Sequence, residues 1–248
     1  MSRFGRQLRA EQLLYWRNRG AAFFTFLLPL LLLGLLGVIG RDQTVNGRPY
    51  ADYFVPGMLG VAVVMTTFAG LAITLTIRRE RGILKRVRGT PLPPAEYLAA
   101  LVVSTALVLA LEAVVVLAVG RLFLGVDVPG AWWQIVLLVV LGACCFAGLG
   151  IAVTRLVPSA EGSSAVVNAI YLPVLIVSGS FYPVEDLPTA LRVAAEALPL
   201  SHLLTALQDV FIDGGVERSH LAGLGVLVLW GLAGAALAAR SFRWEPQA

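Results

Sequence analysis

Long apolar runs separated by short charged stretches set the rhythm of this chain. Runs at 20–40, 53–77, 131–154, 162–183 and 221–239 hold no Asp, Glu, Lys or Arg, and another at 97–120 is broken only by Glu112. A helix needs about 20 predominantly apolar residues to cross the hydrocarbon of a bilayer. The pattern predicts six spans, over 20–40, 53–77, 97–120, 131–154, 162–183 and 221–240. Too little chain remains for a separate soluble catalytic domain.

Between the spans, three stretches are patterned rather than merely polar. Residues 1–19 predict an interfacial helix with Phe4, Leu8 and Tyr15 on one face and arginines able to reach lipid headgroups, although Leu13 and Trp16 lie off that face. A basic lead-in that only sets topology fits the same residues. Residues 183–215 predict two short amphipathic helices, about 187–198 and 200–211, punctuated by Pro183, Pro188 and Pro199, with Asp186 capping the first. They read as outer-face helices that dip into the membrane, which is tolerated only where protein or water covers the backbone. The third stretch, 78–94, reads R-R-E-R-G-I-L-K-R-V-R-G-T-P-L-P-P. As a helix it puts Ile83, Leu84 and Val87 on one arc together with Glu80, and Arg78, Arg81, Lys85 and Arg88 on the next. Gly89 and Pro91 stop it.

Polar residues inside the spans mark either close helix contacts or a polar route. The second span carries Gly57, Gly60 and Gly70 and the threonines 66, 67, 74 and 76. Glu112 lies roughly two turns inside the outer end of the third, where a charged carboxylate costs on the order of 2.5–3.5 kcal/mol. It either faces a substrate route or a proton, or is a protonated or paired carboxyl within the bundle. The fifth span is the most polar, with Asn168, Tyr171 and Ser178, and Asn168 needs a hydrogen-bond partner there.

Composition sharpens this picture. The 248 residues are 58% hydrophobic and 14% charged, against about 25% charged in soluble domains. With both termini cytoplasmic, fourteen of the 19 basic residues fall inside and five outside, a positive-inside distribution. The net charge of +4 is therefore a topology signal, not a nucleic-acid footprint. Cys144 and Cys145 are adjacent within a span and support neither a disulfide nor a metal site, and His202 and His220 read as interfacial polar residues. There is no G-x-x-x-x-G-K-[ST] loop, no H-E-x-x-H and no G-x-S-x-G. The chain has no evident energy source or catalytic group of its own.

Two motifs carry a resemblance. E-R-G-I-L-K-R-V-R-G-T-P-L-P after the second span, and S-G-S-F-Y-P-V-E-D-L-P at 178–188 continuing to A-L-P-L-S-H-L-L-T-A-L at 197–207, resemble type-2 ATP-binding-cassette exporter permeases. The likeness covers essentially the whole chain. It implies an all-α membrane fold with six transmembrane helices, an N-terminal interfacial helix, a cytoplasmic coupling helix and extracellular re-entrant helices. The coupling segment would dock on a separate cytosolic ATPase through Glu80, Arg81, Gly82, Ile83, Leu84, Lys85, Val87, Arg88, Thr90 and Pro91. The resemblance also implies a second permease chain forming a homodimer in the lipid of a bacterial plasma membrane. No cofactor is expected in this chain; ATP and Mg belong to the partner. Thr66, Thr74, Glu112, Asn168, Tyr171 and Ser178 are the candidates for lining the substrate route. The Gly-Thr-Pro-Leu-Pro variant is most similar to drug and antibiotic exporters, while exporters of lipid-linked polysaccharide or teichoic acid share the architecture. A proton-coupled carrier or an intramembrane enzyme would need ionisable or catalytic groups that the sequence supplies thinly, while a non-transporting anchor or immunity-type protein built on the same fold stays open.

Overall fold

The computed structural model describes every residue except Met1, Arg41, Asn46, Tyr182, Glu185, Asp186 and 243–248. The expected Asp186 cap therefore lies outside the described residues. Six of the described helices are long and apolar enough to cross a membrane.

Helix α1 (Arg3–Arg17) begins where the Ser2 hydroxyl accepts the Gly5 N–H at 3.1 Å. It leans on α6 (Pro94–Leu124): Arg3 donates to the Pro91 carbonyl at 3.2 Å, and Gln12 donates to the Ser104 carbonyl and hydroxyl at 2.8 and 2.9 Å. With 31 residues, α6 rises about 46 Å, more than the roughly 30 Å of hydrocarbon. Its first turns can thus stand clear of the lipid and offer α1 a polar seat. Helix α2 (Arg19–Ile39) leads to a hairpin of β1 (Thr44–Val45) and β2 (Arg48–Pro49).

From the hairpin, one continuous rod returns through the core: α3 (Tyr50–Val63), a π-helical stretch (Val64–Ala69) and α4 (Gly70–Glu80). This rod is the most buried of the six long elements. Close backbone approach explains its glycines. A Cβ on Gly57 would collide with the Ser180 carbonyl oxygen, and the same turn is gripped by Tyr53, which donates to the Gly179 carbonyl at 2.8 Å. The short helix α5 (Ile83–Arg88) joins the rod to α6.

Helices α7 (Trp132–Val153) and α11 (Leu221–Ser241) pack backbone to backbone. A Cβ on Gly148 would approach the Ala235 nitrogen to 2.9 Å, and one on Gly234 the Leu149 nitrogen to 2.8 Å. Between them in sequence come α8 (Ala160–Val177), α9 (Thr189–Ala197) and α10 (Pro199–Asp213). Helices α9 and α10 meet at an 88° bend. The bend reaches the middle of α11, where the Trp230 indole donates to the Ala197 carbonyl at 3.0 Å. Leu200, Leu203, Leu204, Leu207 and Val210 form the buried stripe of α10, at the helical spacing that the sequence shows. The expected re-entrant pair is thus present, with its second member reaching from the hairpin end to about half depth.

Candidate functional site

The end of the bundle that carries α5 concentrates the charged side chains. The sequence reading of 78–88 as one helix needs correction. Gly82 adopts φ 66°, a left-handed conformation that glycine takes without penalty, and it separates α4 from α5. The two arcs therefore do not persist across the break, and the residues split by what they touch.

Leu84 is fully buried in the chain's own second core cluster, among Leu71, Leu75, Tyr97, Leu101 and Ile151. It seats α5 on the bundle and is not on the surface, contrary to the expectation that it is among the residues that dock on the ATPase. Ile83 and Val87 are half-buried, while Arg81, Lys85, Arg86, Arg88, Thr90 and Pro91 are exposed and Gly82 lies at the rim. The Thr90 hydroxyl donates to the Val87 carbonyl at 2.6 Å and closes α5 after Gly89. What α5 presents outward is a basic rim around two partly covered aliphatic side chains.

The last three residues of α4 each hold a different helix. Arg78 pairs with Glu11 of α1 through two bonds, 2.9 and 2.7 Å, and donates to the Tyr97 hydroxyl at 2.7 Å. Arg79, 3% exposed, donates to the Thr154 and Val157 carbonyls at 2.9 and 2.6 Å, completing the turn that ends α7. Glu80 accepts the Ala160 N–H at the start of α8, a stabilising place for a carboxylate. Glu11 does carry a sequence signal: it falls on the arc of Phe4, Leu8 and Tyr15, so the face that packs is the face that carries it. Arg79 has none, because its partners lie 75 and 78 residues away.

The six route candidates are not brought to one place. Thr66, in the π-helical stretch, donates to Glu112 Oε2 at 2.6 Å, and both are buried. Glu112 Oε1 has no hydrogen-bond partner. Since α6 runs on to Leu124, Glu112 lies about three turns from that end rather than two, opposite the middle of the Tyr50–Glu80 rod. Thr74 and Asn168 are half-buried on α4 and α8. Tyr171 alone of the six lines a cavity of 420 Å3 between α7, α8 and α11. Ser178 is buried at the end of α8, its hydroxyl unpartnered. At the opposite end, His220 Nδ1 meets Asp209 Oδ2 at 2.7 Å, and His202 Nε2 lies 2.8 Å from the Glu196 carbonyl. Among the described residues, no three His, Cys, Asp or Glu side chains cluster as a metal site.

Known proteins are similar to this chain in sequence. The ABC-2 type transporter family model matches residues 4–212, from α1 through α10. The daunorubicin resistance ABC transporter permease protein DrrB1 of Streptomyces coeruleorubidus is 29% identical over 215 residues, 80% of this chain and 73% of that protein. YvfS of Bacillus subtilis (strain 168), named as a transport permease, is 24% identical over 200 residues, 79% of this chain and 80% of that protein. YbhS of Escherichia coli (strain K12), named as a multidrug ABC transporter permease, is 22% identical over 167 residues, 66% of this chain but only 44% of that protein. A multi-pass helical bundle, a short basic helix seated on it through Leu84 and a re-entrant pair, matched over most of its length by one family model, make this chain a membrane permease subunit belonging to the ABC-2 type transporter family.

Proposed function

We propose that the chain is the membrane half of an exporter that moves an amphiphilic molecule, such as a drug, an antibiotic or a lipid-like compound, out of the cell. Two copies would pair as a homodimer above two cytosolic ATPase subunits, which bind ATP and Mg. The α5 end would be cytoplasmic, with both termini on that side. The observation that carries this reading is the seating of α5. Its buried Leu84 anchors it to the bundle, its basic rim faces outward, and the adjoining Arg78, Arg79 and Glu80 reach α1, the end of α7 and the start of α8. A push on α5 would be shared at once by several membrane helices. The drug-resistance name of one relative favours an amphiphile as cargo. The test uses inside-out vesicles carrying the chain with its ATPase. ATP should drive uptake of a fluorescent anthracycline or a comparable amphiphile, and a hydrolysis-dead ATPase should abolish it. No uptake of any amphiphile, with uptake of a lipid-linked polymer instead, would replace the substrate class.

A further inference from the structure

The tight pairing of α7 with α11 leaves α8 standing apart, and the 420 Å3 cavity lies in that gap. Its wall is apolar. Phe146 and Val153 come from α7, Val174 from α8 and Trp230 from α11, with Pro199 of the re-entrant bend at one end and Arg155 at the other. Trp230 sits mid-way along α11 and Leu237 about two turns on, so the cavity extends from the middle of the bundle to the α5 end. Two turns and the arginine beyond them match one leaflet, about half of the 30 Å hydrocarbon. The bend at Pro199 closes the cavity at the level where a leaflet's chains end.

We propose that this groove holds one acyl chain of an anionic phospholipid from the leaflet on the α5 side, with the headgroup phosphate against Arg155. An exposed guanidinium at headgroup level, above a slot with almost no polar wall, matches a single negative charge carried on a hydrocarbon chain. Calling that leaflet cytoplasmic rests on the orientation proposed above; the groove itself does not.

The probe is phosphatidylglycerol carrying a diazirine near the end of one acyl chain, compared with the same label on phosphatidylcholine. The full chain is reconstituted in nanodiscs with its ATPase, and cross-linked peptides are mapped by mass spectrometry. Phosphatidylglycerol should label the peptides that contain Phe146, Val174 and Trp230 several-fold more than phosphatidylcholine does. Arg155→Gln should erase that preference while leaving the weaker common labelling. Val153→Trp, and separately Ala152→Phe, should fill the slot and cut labelling by both lipids, with ATPase binding retained as the check on folding. Equal labelling by the two lipids, or labelling unchanged in both filled variants, overturns the proposal. So does a groove whose peptides are labelled by neither lipid. If such a complex still transports, only the groove is lost and the export reading stands.

Discussion

Of the two carboxyl oxygens of Glu112, Oε2 meets the Thr66 hydroxyl and Oε1 meets nothing. Glu112→Gln keeps an acceptor for Thr66 and should alter stability by no more than about 1 kcal/mol, whereas Thr66→Val leaves a buried polar group wholly unpaired and should cost about 1–3 kcal/mol. Melting of both variants in detergent checks the order, and a larger loss for Glu112→Gln would contradict it. The sequence places Glu112 within an apolar run, leaves open whether it faces a route or is a protonated or paired carboxyl, and offers the threonines of the second span as a set. It cannot single out Thr66, because that choice depends on the local widening at Val64–Ala69, where Thr67 also turns back to the Val63 carbonyl at 2.6 Å. Nor does residue type alone gather Asn168, Tyr171 and Ser178 into one route; Tyr171 and Ser178 are buried about two turns apart, Asn168 is half-buried, and of the three only Tyr171 lines the cavity.

At the scale of elements, α5 shows how a helical projection misleads when the helix is not continuous. Its end after Arg88 was legible from Gly89 and Pro91, and its basic character from composition. The left-handed turn at Gly82 was not, since a lone glycine in a helical pattern signals permission and not obligation. The consequence is an inverted expectation for mutants. Leu84→Ala should cost about 2–5 kcal/mol at its site, loosen α5 from the bundle and weaken ATPase binding indirectly. Limited proteolysis should then cut between residues 81 and 93 in the absence of the partner. The double variant Lys85→Glu, Arg86→Glu should leave melting and proteolysis unchanged, since exposed substitutions stay within about 0.5 kcal/mol. It should nevertheless slow association with the ATPase in a salt-dependent way. Proteolysis that is identical in the leucine variant and the parent would refute the seating of α5.

Across the whole molecule, the six crossing helices follow from lengths of uncharged sequence alone, because the bilayer imposes one thickness on all of them. The two 31-residue elements exceed that thickness, and their extra turns are where α1 and α5 attach. A cysteine at Arg48 and another at Lys85, each in a background lacking Cys144 and Cys145, should react with an impermeant thiol reagent from opposite sides of intact cells. Reaction of both from outside would overturn the topology. What sequence could not supply is the wiring among helices, since Arg78, Arg79 and Glu80 are adjacent in the chain but find partners 67, 75 and 80 residues distant. That wiring has a genetic consequence. Lesions in any of these three adjacent codons should share one phenotype, a complex that assembles and burns ATP without moving cargo. Second-site revertants of Arg78 lesions should then arise far along the gene, at codon 11, whose side chain is the other half of that ion pair, whereas Arg79 and Glu80, bonded to main-chain atoms of residues 154, 157 and 160, have no partner codon to change.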